Sequence, residues 1–260
     1  MDEVVVNGLR IAYRQRGSGP PLVLLHGGFE DSRAYDAQIE RLHPHVEVFA
    51  WDAPGCGGSD DVPAGWDDAD WARAASGFIQ AVGLRAPAVA GFSLGSIIAL
   101  LLARDHPRSV GALVLVGAYA GWGGSLAPDA LAERIAAARF TMQHPVHEWA
   151  DAFVDSVFES DAAPERRTHA RGLLADWRPA TTAALLEVMV GDFRPALPDI
   201  LAPTAVVRGA RDARSPLATS RELCELLPRG RLVEIAGAGH DCAGPELYGM
   251  LVAAAREAAG

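Results

Sequence analysis

The stretch Pro87-Ala88-Val89-Ala90-Gly91-Phe92-Ser93-Leu94-Gly95 decides the fold. A short apolar strand, Pro87 to Ala90, runs into Gly-x-Ser-x-Gly. An almost wholly apolar helix, Leu94 to Asp105, runs out of it. A G-x-S-x-G match is modest evidence alone; the strand before it and the helix after it make it specific. Glycines on both sides of the serine relieve the crowding of a sharp, strained turn. The turn presents the Ser93 hydroxyl at the C-terminal edge of a sheet, where a helix N-terminus favours developing negative charge.

Outward from that turn, apolar runs alternate with segments of helical period. Arg10 to Arg16, Pro21 to Leu25, His45 to Trp51 and Val110 to Val116 read as strands. Leu22-Val23-Leu24-Leu25 is continuously apolar, as a strand covered on both faces must be. Between them, Asp68 to Val82 sets Trp71, Ala74, Ala75, Phe78, Ile79 and Val82 on one helical face, with Asp67 or Asp68 as N-cap. Thr204 to Arg208 and Arg231 to Ile235 are the later strands; Pro216 to Leu227 and Leu247 to Ala259 are the later helices. This alternation implies an α/β fold with a mostly parallel sheet. One stretch breaks the rhythm: from Gly121 onwards the pattern is helical only, over Asp129 to Phe140, Val146 to Phe158, Pro164 to Trp177 and Thr181 to Val190. The expected organisation is a core of residues 1–120 and 196–260 with a helical cap at 121–195.

A serine hydroxyl is a weak nucleophile at neutral pH, so it needs a base, and the base needs an orienting acid. His240 lies in Gly237-Ala238-Gly239-His240-Asp241, a glycine-rich loop directly after a strand. His106, His144, His147 and His169 lie at a helix end or in the inserted helices, so His240 is the expected base. For the acid, Asp212 follows the strand Thr204 to Arg208 and lands on the C-terminal edge. Asp241 adjoins His240 and would diverge from it, Asp199 begins at the opposite edge, and Asp52 is the remaining alternative. Acyl transfer also needs donors for an oxyanion. The Leu94 N–H is one; the other comes from the loop His26-Gly27-Gly28-Phe29, with Gly28 preferred and Phe29 the neighbouring candidate.

At this point the chain resembles the α/β-hydrolase fold superfamily, in its small capped esterase, lactonase and C–C hydrolase branch. His26-Gly27-Gly28, Asp52-Ala53-Pro54-Gly55-Cys56-Gly57-Gly58-Ser59-Asp60, the Ser93 turn, Gly209-Ala210-Arg211-Asp212 and Gly239-His240 occur in the family's order. The resemblance implies an eight-stranded, mostly parallel sheet flanked by helices, with Asp52 and Ser59 as scaffold. Departures from the family's patterns narrow the choice. The turn carries serine where epoxide hydrolases and haloalkane dehalogenases of this fold carry aspartate. C–C hydrolases usually show Asn-Ser where this chain has Phe92-Ser93. Proline iminopeptidases carry a proline and a tryptophan where Phe29 and Leu94 stand.

Composition adds exclusions. All 23 basic residues are arginine. Without lysine there is no Walker phosphate loop, no Schiff base, and no lysine-dependent hydroxynitrile lyase of this fold. Thirty-three acidic residues give a formal charge of -10, which argues against nucleic-acid or anionic-membrane partners. Cys56, Cys224 and Cys242 form no Cys-x-x-Cys pair, so neither a disulfide framework nor a zinc site is signalled. The N-terminus lacks a signal-peptide pattern, and a cytoplasmic location is expected.

The reading is a serine hydrolase for an ester or lactone of a small molecule, needing no cofactor and no metal. C–C hydrolysis, a lyase or cyclase reaction, and a ligand-binding receptor with a vestigial triad are the alternatives. Trp122, Phe140, Trp149, Phe153, Phe158 and Trp177 are the candidates from the cap, of which about two are expected to face the pocket, and Phe29 and Tyr119 at the sheet edge are the stronger candidates for its wall.

Overall fold

Continuous apolar runs form the centre of one eight-stranded sheet in this computed structural model, which describes residues 1–260. In chain order come β1 (Asp2–Val6), β2 (Leu9–Arg16), β3 (Pro21–Leu25), α1 (Asp36–Leu42), β4 (Glu47–Trp51), α2 (Asp68–Ala81), β5 (Ala88–Phe92), α3 (Leu94–Asp105) and β6 (Ala112–Val116). Then follow α4 (Pro128–Gln143), α5 (Ala150–Val157), α6 (Pro164–Leu174), α7 (Pro179–Met189), β7 (Thr204–Gly209), α8 (Leu217–Leu226), β8 (Gly230–Ile235) and α9 (Pro245–Ala259). The strand order is β1-β2-β4-β3-β5-β6-β7-β8. Only the β1–β2 and β2–β4 pairings are antiparallel.

Period-two alternation sends each strand's side chains to opposite faces. Val23, Leu25, Val89, Leu113 and Leu115 join one buried cluster with Trp71, Phe78, Ile97 and Leu101 of α2 and α3. Leu22, Leu24, Ala88, Ala90, Ala112 and Val114 join the other, with Ile39, Leu42, Leu247 and Leu251 of α1 and α9. Helices therefore cover both faces. α2 begins in a capping box in which Asp67 and Asp70 satisfy each other's backbone N–H groups. Pro128, Pro164, Pro179 and Pro245 each open a helix, where the missing N–H has no partner to lose.

Two elements lie outside the sequence reading, β1 and α1. β1 is joined to β2 by Asn7-Gly8, both in the left-handed region at φ 51 and 88. Asn-Gly is a strong two-residue hairpin signal, so this edge strand had a readable mark.

Helices α4 to α7 intervene between β6 and β7. The expected helix over Val146 to Phe158 is a short 3-10 turn, Val146–Glu148, followed by α5; the expected Pro164 to Trp177 helix stops at Leu174. This insertion has a small core of its own, where Trp149, Ala150, Val154 and Leu174 pack with Phe29 of the sheet-edge loop. It is tied to the loop after β4: Thr181 donates to the Gly55 carbonyl at 2.7 Å and Arg178 to the Ser59 carbonyl at 3.0 Å. That loop is fastened below by Asp52, which accepts from the Ser32 and Gly58 N–H groups, both at 2.8 Å. Ser59 bridges it to β2, donating to the Asp52 carbonyl and accepting from the Ala12 N–H. No helix is long and apolar enough to cross a membrane.

Candidate active site

Ser93 sits where β5 turns into α3, at φ 50 and ψ -110. A non-glycine residue there carries strain of about 1–3 kcal/mol and persists only where its surroundings hold it. They do so by close approach. A Cβ on Gly91 would lie 2.3 Å from the Gly95 carbonyl oxygen, and one on Gly95 would lie 2.0 Å from that of Leu25. The Ser93 N–H is anchored to the Val116 carbonyl at 2.8 Å. The two glycines are thus demanded by backbone-to-backbone contact.

His240 and Asp212 come together although 28 residues separate them: His240 Nδ1 lies 2.9 Å from Asp212 Oδ2. The other Asp212 oxygen accepts from the backbone N–H groups of Arg214 at 2.8 Å and Ser215 at 3.0 Å. Burial opposes the carboxylate charge, but the His240 ring and these amides outweigh it and hold Asp212 below its ordinary pKa. Burial lowers His240 in turn, with Arg214 and Arg134 acting in the same direction against Asp212. The imidazole is therefore neutral at pH 7 and able to accept a proton. With Nδ1 committed to the carboxylate, Nε2 is buried and has no protein partner. Asp241, Asp199 and Asp52 do not touch the ring; Asp241 pairs with Arg166 instead.

The loop after β3 supplies donors. His26 Nδ1 lies 2.8 Å from the Gly27 carbonyl, which makes it the protonated nitrogen, and Nε2 accepts from the Ala53 N–H at 3.0 Å. The N–H groups of Gly28 and Phe29 have no partner in the protein. Phe29 is held at φ 66, its ring against Trp149, Phe153 and Trp177. One cavity of about 800 Å³ is lined by Gly28, Phe29, Ser93, Leu94 and His240.

Of the expected wall residues, Trp122, Phe140, Trp149 and Phe153 line this cavity. Tyr119 and Trp177 do not. Tyr119 is fully buried behind the wall, its hydroxyl donating to the Arg214 carbonyl, and Trp177 donates to the Thr182 hydroxyl at 2.7 Å. Phe158 faces a neighbouring cavity. Aromatic rings at helical spacing fill core and line pockets alike, so ring count alone does not separate the two. Two unanticipated groups face the cavity. Glu30 accepts from the Gly27 N–H at 2.9 Å, and burial pushes its carboxyl up to about 8. Arg134, from α4, stands beside Arg214.

Residues 22–253 match the model of the alpha/beta hydrolase family. The chain is 32% identical over 245 residues to a pimeloyl-[acyl-carrier protein] methyl ester esterase of Aromatoleum aromaticum, covering 85% of this chain and 91% of that one. Among solved structures, an esterase from Exiguobacterium antarcticum superposes with a TM-score of 0.87 at 23% identity, covering 99% of both chains. The enol-lactonase from Burkholderia xenovorans superposes at 0.84 with 22% identity, again over 99% of both. The chain belongs to the alpha/beta hydrolase family and is a hydrolase.

Proposed function

We propose that the protein cleaves a carboxylic ester or lactone of a small molecule through an acyl-enzyme formed on Ser93. The observation that carries this reading is His240 Nε2, a buried nitrogen without a protein partner that shares one cavity with a strained serine, while Nδ1 is fixed by Asp212. Ser93 attacks the carbonyl carbon as Nε2 takes its proton, and Asp212 stabilises the imidazolium. The oxyanion is held by the Leu94 N–H at the start of α3 and by the Gly28 N–H, with Phe29 as its neighbour; each donor of this kind contributes roughly 3–4 kcal/mol. The alcohol leaves with the proton from His240, and water repeats the route on the acyl-enzyme. Residues 121–195 act as a cap over the core, since α4 and α5 furnish the outer wall of the cavity. The relative named above acts on a methyl ester and the structural neighbours include an esterase and a lactonase, which supports the same bond class here.

Replacing Ser93 by alanine tests this directly. Turnover of p-nitrophenyl acetate is expected to fall by at least about 10⁴-fold, with the thermal midpoint little changed. A variant that keeps near-wild-type rates would sink the serine mechanism.

A further inference from the structure

Most of the arginines are spent on ion pairs with acidic neighbours, as Arg104, Arg178, Arg194 and Arg211 illustrate. Arg134 and Arg214 differ: neither has a carboxylate within ion-pair distance, yet both line the cavity that contains Ser93 and His240. They are also held against each other. Arg134 donates to the Arg214 carbonyl at 2.8 Å and to the Tyr119 hydroxyl at 3.3 Å. Its guanidinium lies over the rings of Tyr119 and Trp122, and that of Arg214 lies over Phe153 while donating to the Ser156 hydroxyl. Burial, with Arg134 adding to it, pushes Arg214 down to about 10, so this cation lacks full compensation. The acids nearby do not supply it. Asp212 is committed to His240, Glu30 is protonated at neutral pH, and Glu133 and Glu148 are exposed at the cavity rim.

We propose that Arg134 and Arg214 form an anion subsite in the nucleophile cavity, so that the ester or lactone cleaved carries a carboxylate. Two guanidiniums held over aromatic rings offer their remaining N–H groups as charge-assisted donors to a carboxylate, and their mutual repulsion is relieved when it binds. This assignment deepens the hydrolase reading and rests on it.

The test compares mono-p-nitrophenyl glutarate with its uncharged counterpart, p-nitrophenyl pentanoate. The native enzyme is expected to prefer the charged ester in kcat/KM by about 10- to 100-fold, the range of a charge-assisted hydrogen bond. The preference is expected to shrink as NaCl is raised. Arg214→Met, which keeps the stacking stem, and Arg134→Leu each reduce the preference, chiefly through KM, and the double variant removes it. Equal kcat/KM for the two esters in the native enzyme would overturn the subsite, as would variants that lower both esters by one common factor. Binding is measured separately by calorimetry, titrating monomethyl glutarate into Ser93→Ala. Saturable binding that Arg214→Met abolishes supports the subsite even if no ester is turned over, in which case only the proposed ester or lactone cleavage fails. No saturable binding overturns the subsite.

Discussion

The sheet edge around Ser93 and the helical insertion between β6 and β7 meet at one cavity but are specified in opposite ways. At the sheet edge the backbone decides: β3, β5 and β6 are continuously apolar, and Gly91 and Gly95 sit where a Cβ would collide with main-chain oxygens. In the insertion the side chains decide: a four-residue core, rings packed at an angle against Phe29 and a few hydrogen bonds to the loop after β4 hold it in place. The first region has one conformation compatible with its contacts. The second tolerates change, which is how a family keeps one chemistry while altering what it acts on.

The strongest way to break this contrast is a single methyl group at the rigid end. Gly95→Ala places a carbon 2.0 Å from the Leu25 carbonyl oxygen, and neither backbone segment is free to move. Overpacking of this kind costs about 3 kcal/mol. Because the displaced segment carries the Leu94 N–H, a proposed oxyanion donor, turnover is expected to drop by roughly 100-fold as well, in line with loss of one such donor. Urea unfolding and p-nitrophenyl acetate kinetics on one preparation check both. A stable, active Gly95→Ala protein would mean the turn is looser than its contacts indicate.

The matching change in the insertion is Trp149→Ala, which empties the centre of the small core and removes a ring packed on Phe29. Here the expected loss is about tenfold in kcat/KM, carried by KM, since the wall of the cavity loosens while the proposed triad of Ser93, Asp212 and His240 stays in place. Proteolytic cutting between residues 145 and 180 should accelerate, because a small satellite core opens locally before the sheet does. If kcat fell as far as in Gly95→Ala, the two regions would not be separable.

The same contrast explains what was legible in the sequence. The Ser93 turn is written in five consecutive residues because its constraints are local, and the meeting of Asp212 with His240 is legible because both lie in loops that leave the C-terminal edge of a strand. Membership of the α/β-hydrolase family and the sheet followed from the same order of motifs. Glu30 and Arg134 left no such mark. Glu30 is an ordinary acid in sequence and becomes unusual only through its burial in the fold, to which Asp241, about two hundred residues away in the chain, adds. Arg134 meets the Arg214 carbonyl across a separation of 80 residues. Tyr119 and Trp177 lie behind the wall and not on it, and nothing local marks this, since a ring one layer behind a cavity has the same sequence pattern as a ring facing it.

Glu30 yields the smallest and most specific effect, because it lies on the sheet-edge side yet is tuned by groups from both regions. Its carboxyl accepts from Gly27, next to the proposed Gly28 donor, and the groups around it are Asp31 and Tyr35 on its own loop, Asp241 after β8, and Arg214 after β7. Burial, helped by Asp241 and Asp31, raises it to about 8, so it is neutral at pH 7 and charged by pH 9. A charge appearing beside the proposed oxyanion donors disfavours the oxyanion by roughly 0.5–1 kcal/mol. The kcat/KM of the native enzyme is therefore expected to fall about threefold between pH 7 and 9. Glu30→Gln keeps an acceptor for the Gly27 N–H without the charge and should flatten that limb, leaving the acid limb set by His240 below its ordinary value. Stability carries the same sign. A carboxyl whose folded pKa exceeds its unfolded value holds its proton longer in the folded state, so its contribution declines as pH rises from the ordinary glutamate range towards 8. The urea midpoint should decline less over that window in Glu30→Gln than in the native chain. If both proteins show the same alkaline limb, the titrating group is not Glu30, and Arg214, pushed down to about 10, is the next to test.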